Sequence, residues 1–554
     1  MNRKNLTSAV LAGLAGVAGI AASAQAVNLN PDGLGQVLIY PYYTTRNGNQ
    51  TLLSVVNTTG EAKAVKVRFM EGKNTREVLD FNLYLSPYDV WTAALLDGSA
   101  VDTECNIEQP NGSGDLNGDP IVGAGGGQCG VPHLLTADTS CTVPYIFESA
   151  STGPGLQSFL PFRLADGGGT DIDRTAEGHF EMIEMGVLVD TDQGSATAAT
   201  HEILDDYANA PAMPADCQQL VDAWTTGGTD VGGVPLSDGY WTLDASEDIE
   251  PPTGGLFGGA AVINVTEGYM FSYDAKAING FQSDAAVDSL TTLHAIPGTV
   301  EPGLNSGDIT DATVFLDDGT TLASSGLTRG VDAVSFVFMH DQLYNEYSIE
   351  EAISGFTEWV ITFPTKHFYV FEDDSASTTP LAPFTEQWQT TGTDAGTACE
   401  PVLLNDVFDR EEQSELIPGT PGRPPVVSPA PPIPPTPDVI PFELCFETNV
   451  ITFAAGGASV EPPIETEGTA ILGAKNAITF EVPEGYQAGW AALELDDYID
   501  ETGAQSRDPL GGLEGLPVTG FAVQKFGNEN ASAGIAAFYG GIYGHKASRK
   551  AASS

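Results

Sequence analysis

The stretch Gln36 to Leu95 constrains the fold more than any other, because its apolar side chains return at every second residue. In Ala64–Met70, Val65, Val67 and Phe69 share one face and Lys66 and Arg68 the other. In Val78–Leu85, Leu79, Phe81, Leu83 and Leu85 lie opposite Asp80 and Asn82. A period of two is what an antiparallel strand with one buried face requires. Val37–Tyr40 and Leu52–Val56 are shorter apolar runs. Asn47-Gly48, Thr59-Gly60 and Gly72-Lys73-Asn74 mark the turns between them, since Asn and Gly tolerate positive φ. Short strands joined this tightly predict part of a β-sandwich. Several apolar faces need a covering sheet, and strands from the second half of the chain are expected to supply it.

The N-terminus fixes the expected compartment. Arg3 and Lys4 precede an apolar, small-residue run from Leu6 to Ala22, and Ala24-Gln25-Ala26 forms a cleavage site. This pattern is that of a secretory signal peptide over residues 1–26. No later run reaches the ~18 apolar residues of a membrane helix, so no transmembrane span is expected. The chain is therefore expected to be exported to the extracellular space, the cell surface or the periplasm. All six cysteines follow the signal, and an even number in an exported chain reads as disulfides. Cys399 and Cys445 bracket a Pro-rich segment and are expected to pair. Cys105, Cys129, Cys141 and Cys217 are expected to pair among themselves.

The formal charge is −54, yet 42% of the residues are hydrophobic and only 17% charged. A disordered acidic chain lacks that apolar content. Few cations and many carboxylates imply a surface that repels nucleic acid and anionic membranes and attracts divalent cations.

Beyond residue 98 the chain divides into a loop-rich β region with a cysteine-stapled insertion and short helices (99–310), a β region (311–417), a Pro-rich loop (418–441) and a C-terminal β-module (442–554). The last is expected to pair with the N-terminal module (27–98). Strands are expected at Phe180–Val189, Tyr240–Leu243, Ala260–Val265, Met270–Tyr273, Ser335–Met339, Trp359–Phe363, Phe368–Phe371, Val450–Phe453, Ile478–Val482, Trp490–Leu495 and Pro517–Phe526. Two short helices are expected within His201–Trp224, and helical turns at Asp274–Ile278 and Ser348–Ile353. The fold class is mainly β: an antiparallel β-sandwich architecture, as one large or two associated sandwiches, with long loops and a few short helices.

Chemical motifs are sparse. Asp115-Leu116-Asn117-Gly118-Asp119 places oxygen ligands at alternate positions around a glycine, which suits Ca²⁺. Residue 126 is Gly where an EF-hand would have its bidentate Glu, so Asp115, Asn117 and Asp119 stand as a calcium loop of another kind. No other cofactor is expected. His201-Glu202-Ile203-Leu204-Asp205 opens like a zinc-protease motif but has Asp at the second histidine position. Glu181, Glu184, Asp205 and Asp206 are among many carboxylates from which a glycosidase pair could be drawn. Leu516-Pro517-Val518-Thr519-Gly520 matches a sortase signal, but Gln524, Lys525 and Asn528 interrupt the apolar span that should follow, so a strand is expected there. No nucleophile elbow surrounds a serine, and no residue is assigned a catalytic role.

The runs VLIYPYY, LLSVVNTT, VKVRFMEG, LDFNLYLSPYDVWTA, TEWVITFPTKHFYV and GLPVTGFAVQKFGN together resemble a group of exported β-rich proteins of Gram-negative bacteria that carries no assigned function. The opening module resembles immunoglobulin-like sandwiches in fold. These features lead to an exported structural, adhesive or cell-surface protein whose partners are other surface proteins or glycans. The alternative is a secreted carbohydrate-binding or carbohydrate-hydrolysing protein, suggested by Tyr40, Tyr42, Tyr43 and Trp91 if they are exposed.

Overall fold

In the computed structural model the alternating runs of Gln36–Leu95 become five strands shared between two facing sheets. The structure describes residues 26–98, 131–144, 146–147, 154–161, 163–202, 212–227, 237–283, 292–371, 380–411, 442–456, 464–500, 503–532 and 535–552. The first sandwich contains β1 (Asn28–Leu29), β2 (Val37–Thr44), β3 (Gln50–Asn57), β4 (Ala62–Glu71), β5 (Glu77–Leu85), β6 (Val90–Leu96), β7 (His133–Thr136), β8 (Cys141–Val143), β9 (Gly155–Ser158), β10 (Glu177–Leu188), β11 (Ile249–Glu250), β12 (Leu256–Asn264), β13 (Tyr269–Asp274) and β14 (Lys276–Asn279). Its eight-stranded sheet runs β1-β14-β2-β10-β4-β5-β8, with β11 beside β10, and its six-stranded sheet runs β13-β12-β3-β6-β7-β9. Leu38, Tyr40, Val67, Phe81 and Met182 from one sheet meet Leu53, Val55, Trp91, Val262 and Phe271 from the other.

The strands that complete the opening module thus come from residues 133–279, not from the second half. Residue 98 is no boundary in the fold: the N-terminal module and the loop-rich region build one sandwich.

The second sandwich contains β15 (Gln342–Ser348), β16 (Phe356–Thr362), β17 (Glu400–Asp409), β18 (Phe442–Leu444), β19 (Thr448–Ala455), β20 (Ile464–Thr466), β21 (Ala477–Val482), β22 (Ala488–Glu494), β23 (Thr519–Ser532), β24 (Ile535–Gly544) and β25 (Lys546–Ser548). Its sheets run β18-β17-β22-β15-β25 and β20-β21-β19-β16-β23-β24, and β19 pairs with β21 in parallel. Tyr347, Trp359, Ile361, Val407, Phe453 and Leu493 fill its core. The reverse face of its six-stranded sheet packs on the first sandwich. Val360, Val450, Phe521 and Val523 join the first core, and Phe521 stacks on Tyr273 with ring centroids 4.9 Å apart. Among the described residues the C-terminal module therefore meets the N-terminal one through side chains and loops, with no shared ladder.

The second face of the eight-stranded sheet departs from the sequence reading. Alternation placed Lys66 and Arg68 opposite the core, as a solvent face; both are buried, as is Lys63. This face is covered by α1 (Ser195–Ala199), α2 (Cys217–Asp222), α3 (Tyr240–Leu243) and α4 (Gly330–Phe338), whose Trp241, Phe336 and Phe338, with the nearby Trp224, pack against Val37, Ile39, Tyr84 and Ile183. The cations survive burial because each has a carboxylate. Lys63 reaches Glu184 at 2.6 Å, Lys66 reaches Asp80, and Arg68 is held by Glu77 at 2.8 Å and by Glu181. An unpaired charge there would carry a desolvation cost of several kcal/mol.

Three segments expected as strands are helical: Tyr240–Leu243 is α3, Ser335–Met339 falls largely in α4, and Phe368–Phe371 overlaps α5 (His367–Val370). Asp274–Ile278, expected as a helical turn, is extended into β14. In α4 every residue is buried, and the N-terminus is fixed by Asp332 accepting from Arg329 N at 3.1 Å. Burial on all sides and a cap outweigh the β preference of Val and Phe, which amounts to a fraction of a kcal/mol per residue.

Buried carboxylates also order the loops. Glu358 accepts from Ile471 N (2.6 Å), Leu472 N (3.0 Å) and Thr469 Oγ1 (2.7 Å). The carbonyls of the same loop accept from the first sandwich: Asn49 Nδ2 and Tyr269 OH donate to Ile471 O, each at 2.9 Å. Glu177 Oε1, from β10, takes Lys475 N and Asn476 N. Residues 469–476 are thereby stapled to both sandwiches at once.

Cys399 is bonded to Cys445, and Cys141 to Cys217. The first bridge sits beside Lys366, whose ammonium donates to Ala398 O (2.7 Å) and Leu444 O (3.2 Å). Closing 46 positions disfavours the unfolded chain by about 4 kcal/mol in the entropic model. Replacing Cys399 and Cys445 together by alanine is expected to lower the calorimetric melting temperature, and reductant is expected to lower it less in that variant, which keeps the Cys141–Cys217 bridge, than in the parent.

Candidate functional site

A concavity of about 610 Å³ lies on the outer face of the first sandwich's six-stranded sheet. Its origin is in the alternation. β13 sends Tyr269, Phe271 and Tyr273 into the core, leaving Met270, Ser272 and Asp274 outside. β6 buries Trp91, Ala93 and Leu95 and turns Val90, Thr92 and Ala94 outward. The ladder registers align these outward positions into rows across the strands. One row is Asp274, Gly259, Ser54 and Thr92, and the next is Ser272, Ala261, Leu52 and Ala94. Apart from Leu52, the rows are small and form a floor. Phe257, Val56 and Val90 make a bulkier row on one side, and Met270 with Ile263 on the other. Ile263 lies six positions beyond Phe257 on β12, so the trough is roughly 20 Å across at ~3.4 Å per residue.

The trough is mainly apolar. Phe257 is 42% exposed, Met270 57% and Val90 47%. The polar side chains of the lining are Ser54, Thr92, Thr136, Ser272, Tyr273 and the rim carboxylate of Asp274. Such a volume and lining are within the range of ligand sites, but the floor brings no nucleophile and base together. What the surface offers is shape and apolar contact. The sequence carried one signal for it: the outward positions of LLSVVN, VWTAALL and FGGAAVIN are small or apolar and carry no charge.

Two smaller clefts, of about 360 and 320 Å³, lie where the sandwiches meet and share Arg46, Asp173 and Lys475. Their charges are engaged with one another. Asp173 holds Arg46 at 2.8 Å and Lys475 at 2.6 Å.

The residues singled out from sequence do not converge. Asp115, Asn117 and Asp119, together with Cys105 and Cys129, lie outside the described residues, as do Asp205 and Asp206. Glu181 and Glu184 are buried beneath the eight-stranded sheet, paired with Arg68 and Lys63, and line none of these three concavities. Tyr40, Tyr42, Tyr43 and Trp91 are fully buried, which corrects their reading as an exposed sugar platform. Leu516, Val518 and Thr519 are buried as well, so the sortase-like motif is internal, and β23 runs on from Thr519.

His201 contacts Ser86 and Asp89, a grouping that invites comparison with a catalytic triad. A triad needs the hydroxyl on one ring nitrogen and the carboxylate on the other. Here Ser86 Oγ and Asp89 Oδ2 (3.6 Å) both face Nδ1, while Nε2 meets Thr139 Oγ1 at 3.1 Å. Ser86 Oγ also accepts from His201 N at 2.9 Å. The cluster ties the turn after β5 to the segment after α1. Among the described residues, the one grouping with metal-ligand spacing is Cys399, Glu443 and Cys445. Its sulfurs are committed to a disulfide.

No family model, curated protein or solved structure matches the chain.

Proposed function

We propose that this chain is an exported, disulfide-braced structural or adhesive component of the cell surface, and that it meets its partner through the trough on the six-stranded sheet. The observation that carries the reading is the trough itself: a broad, shallow, largely uncharged face on a chain of net charge −54. Carboxylates elsewhere on the surface repel anionic neighbours, and a contiguous apolar patch marks a contact surface on a soluble protein. The signal-like residues 1–26 and the two disulfides support export. The rows of Ser, Thr, Ala and Gly suit a flat partner such as another surface protein or a glycan sheet.

Thr92 and Ser272 are exposed on the trough floor, so Thr92→Glu with Ser272→Glu adds charge without touching the core. The double variant is expected to keep the parent melting temperature and to lose at least tenfold in binding of the purified chain to native cell envelopes. Equal binding by variant and parent, or a native chain confined to the periplasm on fractionation, would sink the reading.

A further inference from the structure

Cys399, Glu443 and Cys445 bring two sulfurs and a carboxylate oxygen within 4.8 Å of one another. The strand ladder explains why. β17 and β18 run antiparallel, with Glu400 opposite Leu444 and Pro401 opposite Glu443. The next step of that register sets Cys399 opposite Cys445. Glu443 lies two residues before Cys445, and in an extended strand alternate side chains share a face. The three groups therefore stand on one side of the strand pair, while Leu444 between them enters the core of the second sandwich.

More than the sulfur–sulfur bond holds the two cysteines together. Ala398 N donates to Cys445 O at 3.2 Å. From the interior, the Lys366 ammonium donates to Ala398 O and Leu444 O, on the residues just before the two cysteines, and to Phe446 O at 3.4 Å. Buried Arg507 pairs with Glu400 and donates to Pro401 O. Opening the bridge leaves these contacts in place, so the two sulfurs stay on neighbouring strands. The bridge is also within reach of solvent. Cys399 and Cys445 are half-buried and Glu443 is exposed, and Cys445 and Glu443 line the cleft of about 320 Å³. Cys141 of the other bridge is fully buried.

We infer that Cys399, Cys445 and Glu443 form a zinc site when their disulfide is reduced, so that the same two strands are tied by a sulfur–sulfur bond or by a metal. Reduction by a dithiol is a two-electron exchange. One thiolate of the reagent attacks a cysteine sulfur and the Cys399–Cys445 bond breaks. The second thiol of the reagent then resolves the mixed disulfide, leaving two cysteine thiols and an oxidised, cyclic reagent. Zn²⁺ displaces both thiol protons and takes two thiolates and the carboxylate, with bonds of about 2.0–2.3 Å and water as the fourth ligand. Thiolates select zinc over the hard cations that an acidic surface gathers, because calcium and magnesium prefer oxygen ligands.

The test is titration of the purified full chain with Zn²⁺ and with Co²⁺, oxidised and reduced. Dithiol treatment is stopped when alkylation and peptide mapping find Cys399 and Cys445 free and Cys141 still bonded, and the reagent is removed without air. The reduced chain is expected to bind one zinc at least tenfold more tightly than the oxidised chain, with about two protons released per ion at neutral pH. Cobalt is expected to give the near-ultraviolet charge-transfer band of thiolate ligands. Zinc is expected to return part of the melting temperature lost on reduction, since it closes the same loop. Cys399→Ala with Cys445→Ala is expected to lose the band. Glu443→Gln changes an exposed side chain, and is expected to keep the oxidised melting temperature and to weaken zinc at least tenfold in the reduced chain. A reduced chain without the band, a band that survives in the cysteine variant, or zinc affinity unchanged in Glu443→Gln would overturn the inference.

Discussion

Replacing Arg174 by methionine is expected to destabilise the chain by about 3–5 kcal/mol, the range for stranding the partners of a buried ion pair. Its guanidinium meets four carboxylate oxygens. Nε and Nη2 reach Glu71 at 2.6 and 2.8 Å, and Nη1 and Nη2 reach Asp166 at 2.7 and 2.8 Å. Although burial pushes Asp166 upward, Arg174 and Asn74 hold its carboxyl well below the usual range. Glu71 in turn accepts from Lys73 N, Asn74 N and Arg76 N, so the turn between β4 and β5 hangs on the same group. Asp166 also reaches the second sandwich, its carbonyl accepting from Trp388 Nε1 at 2.7 Å. Lysine at 174 is expected to recover little, because one ammonium cannot reproduce the planar fork that serves two carboxylates. Urea midpoints of the parent, Arg174→Met and Arg174→Lys decide the matter. A loss under ~1 kcal/mol for Arg174→Met would mean that the carboxylates are satisfied without it.

Acidification from pH 7.5 to 5.5 is expected to lower the melting temperature, and the cause is five histidines, His179 and His294 buried and His340, His367 and His545 half-buried. Burial, with Arg68 nearby, depresses His179 to about 3, and burial, with Arg76 nearby, depresses His367 to about 3. Burial likewise takes His340 to about 3, and His294 and His545 to about 4. In the unfolded chain each titrates near 6.5. The unfolded state therefore binds protons below pH 6.5 that the folded state refuses until about pH 3–4. Stability is full above pH 6.5 and falls as pH drops through that window. Each group contributes on the order of 1 kcal/mol between pH 7.5 and 5.5. Glu447 acts in the opposite sense: burial pushes it up to about 8, so its contribution grows as pH falls from 8 toward its unfolded value. Burial also raises Glu181, Glu184 and Glu358, so these carboxyls together offset part of the loss from the five histidines. Calorimetry at the two pH values checks the sign. His367→Gln is expected to shrink the difference, and a melting temperature equal or higher at pH 5.5 would contradict the account.

The five opening strands were legible in sequence because a period of two is local: each residue declares its face through its neighbours. The helix Gly330–Phe338 was hidden, since VDAVSFVF is apolar but for Asp332 and Ser335, and burial on every side with the Asp332 cap made it helical. The charged side of β4 misled for a related reason. Lys66 and Arg68 look like solvent residues until Asp80, Glu77 and Glu181, up to 113 positions away, are brought beside them.

The trough divides along the same line. Its ingredients, uncharged outward positions in β3, β6 and β12 with Met270 and Ser272 of β13, are visible in the sequence. Which strands lie side by side is not, because ladder registers join residues such as Ser54 and Gly259 that are far apart in the chain. The sequence by itself determined strand content, the acidic surface and the cysteine spacing, all of them properties of composition and local periodicity. Only the tertiary structure decided which faces are covered, which carboxylates are spent on buried cations and loop amides, and which strand ends its sheet. Those outcomes depend on long-range pairing, where burial and electrostatics in the assembled interior outweigh what any one segment prefers alone.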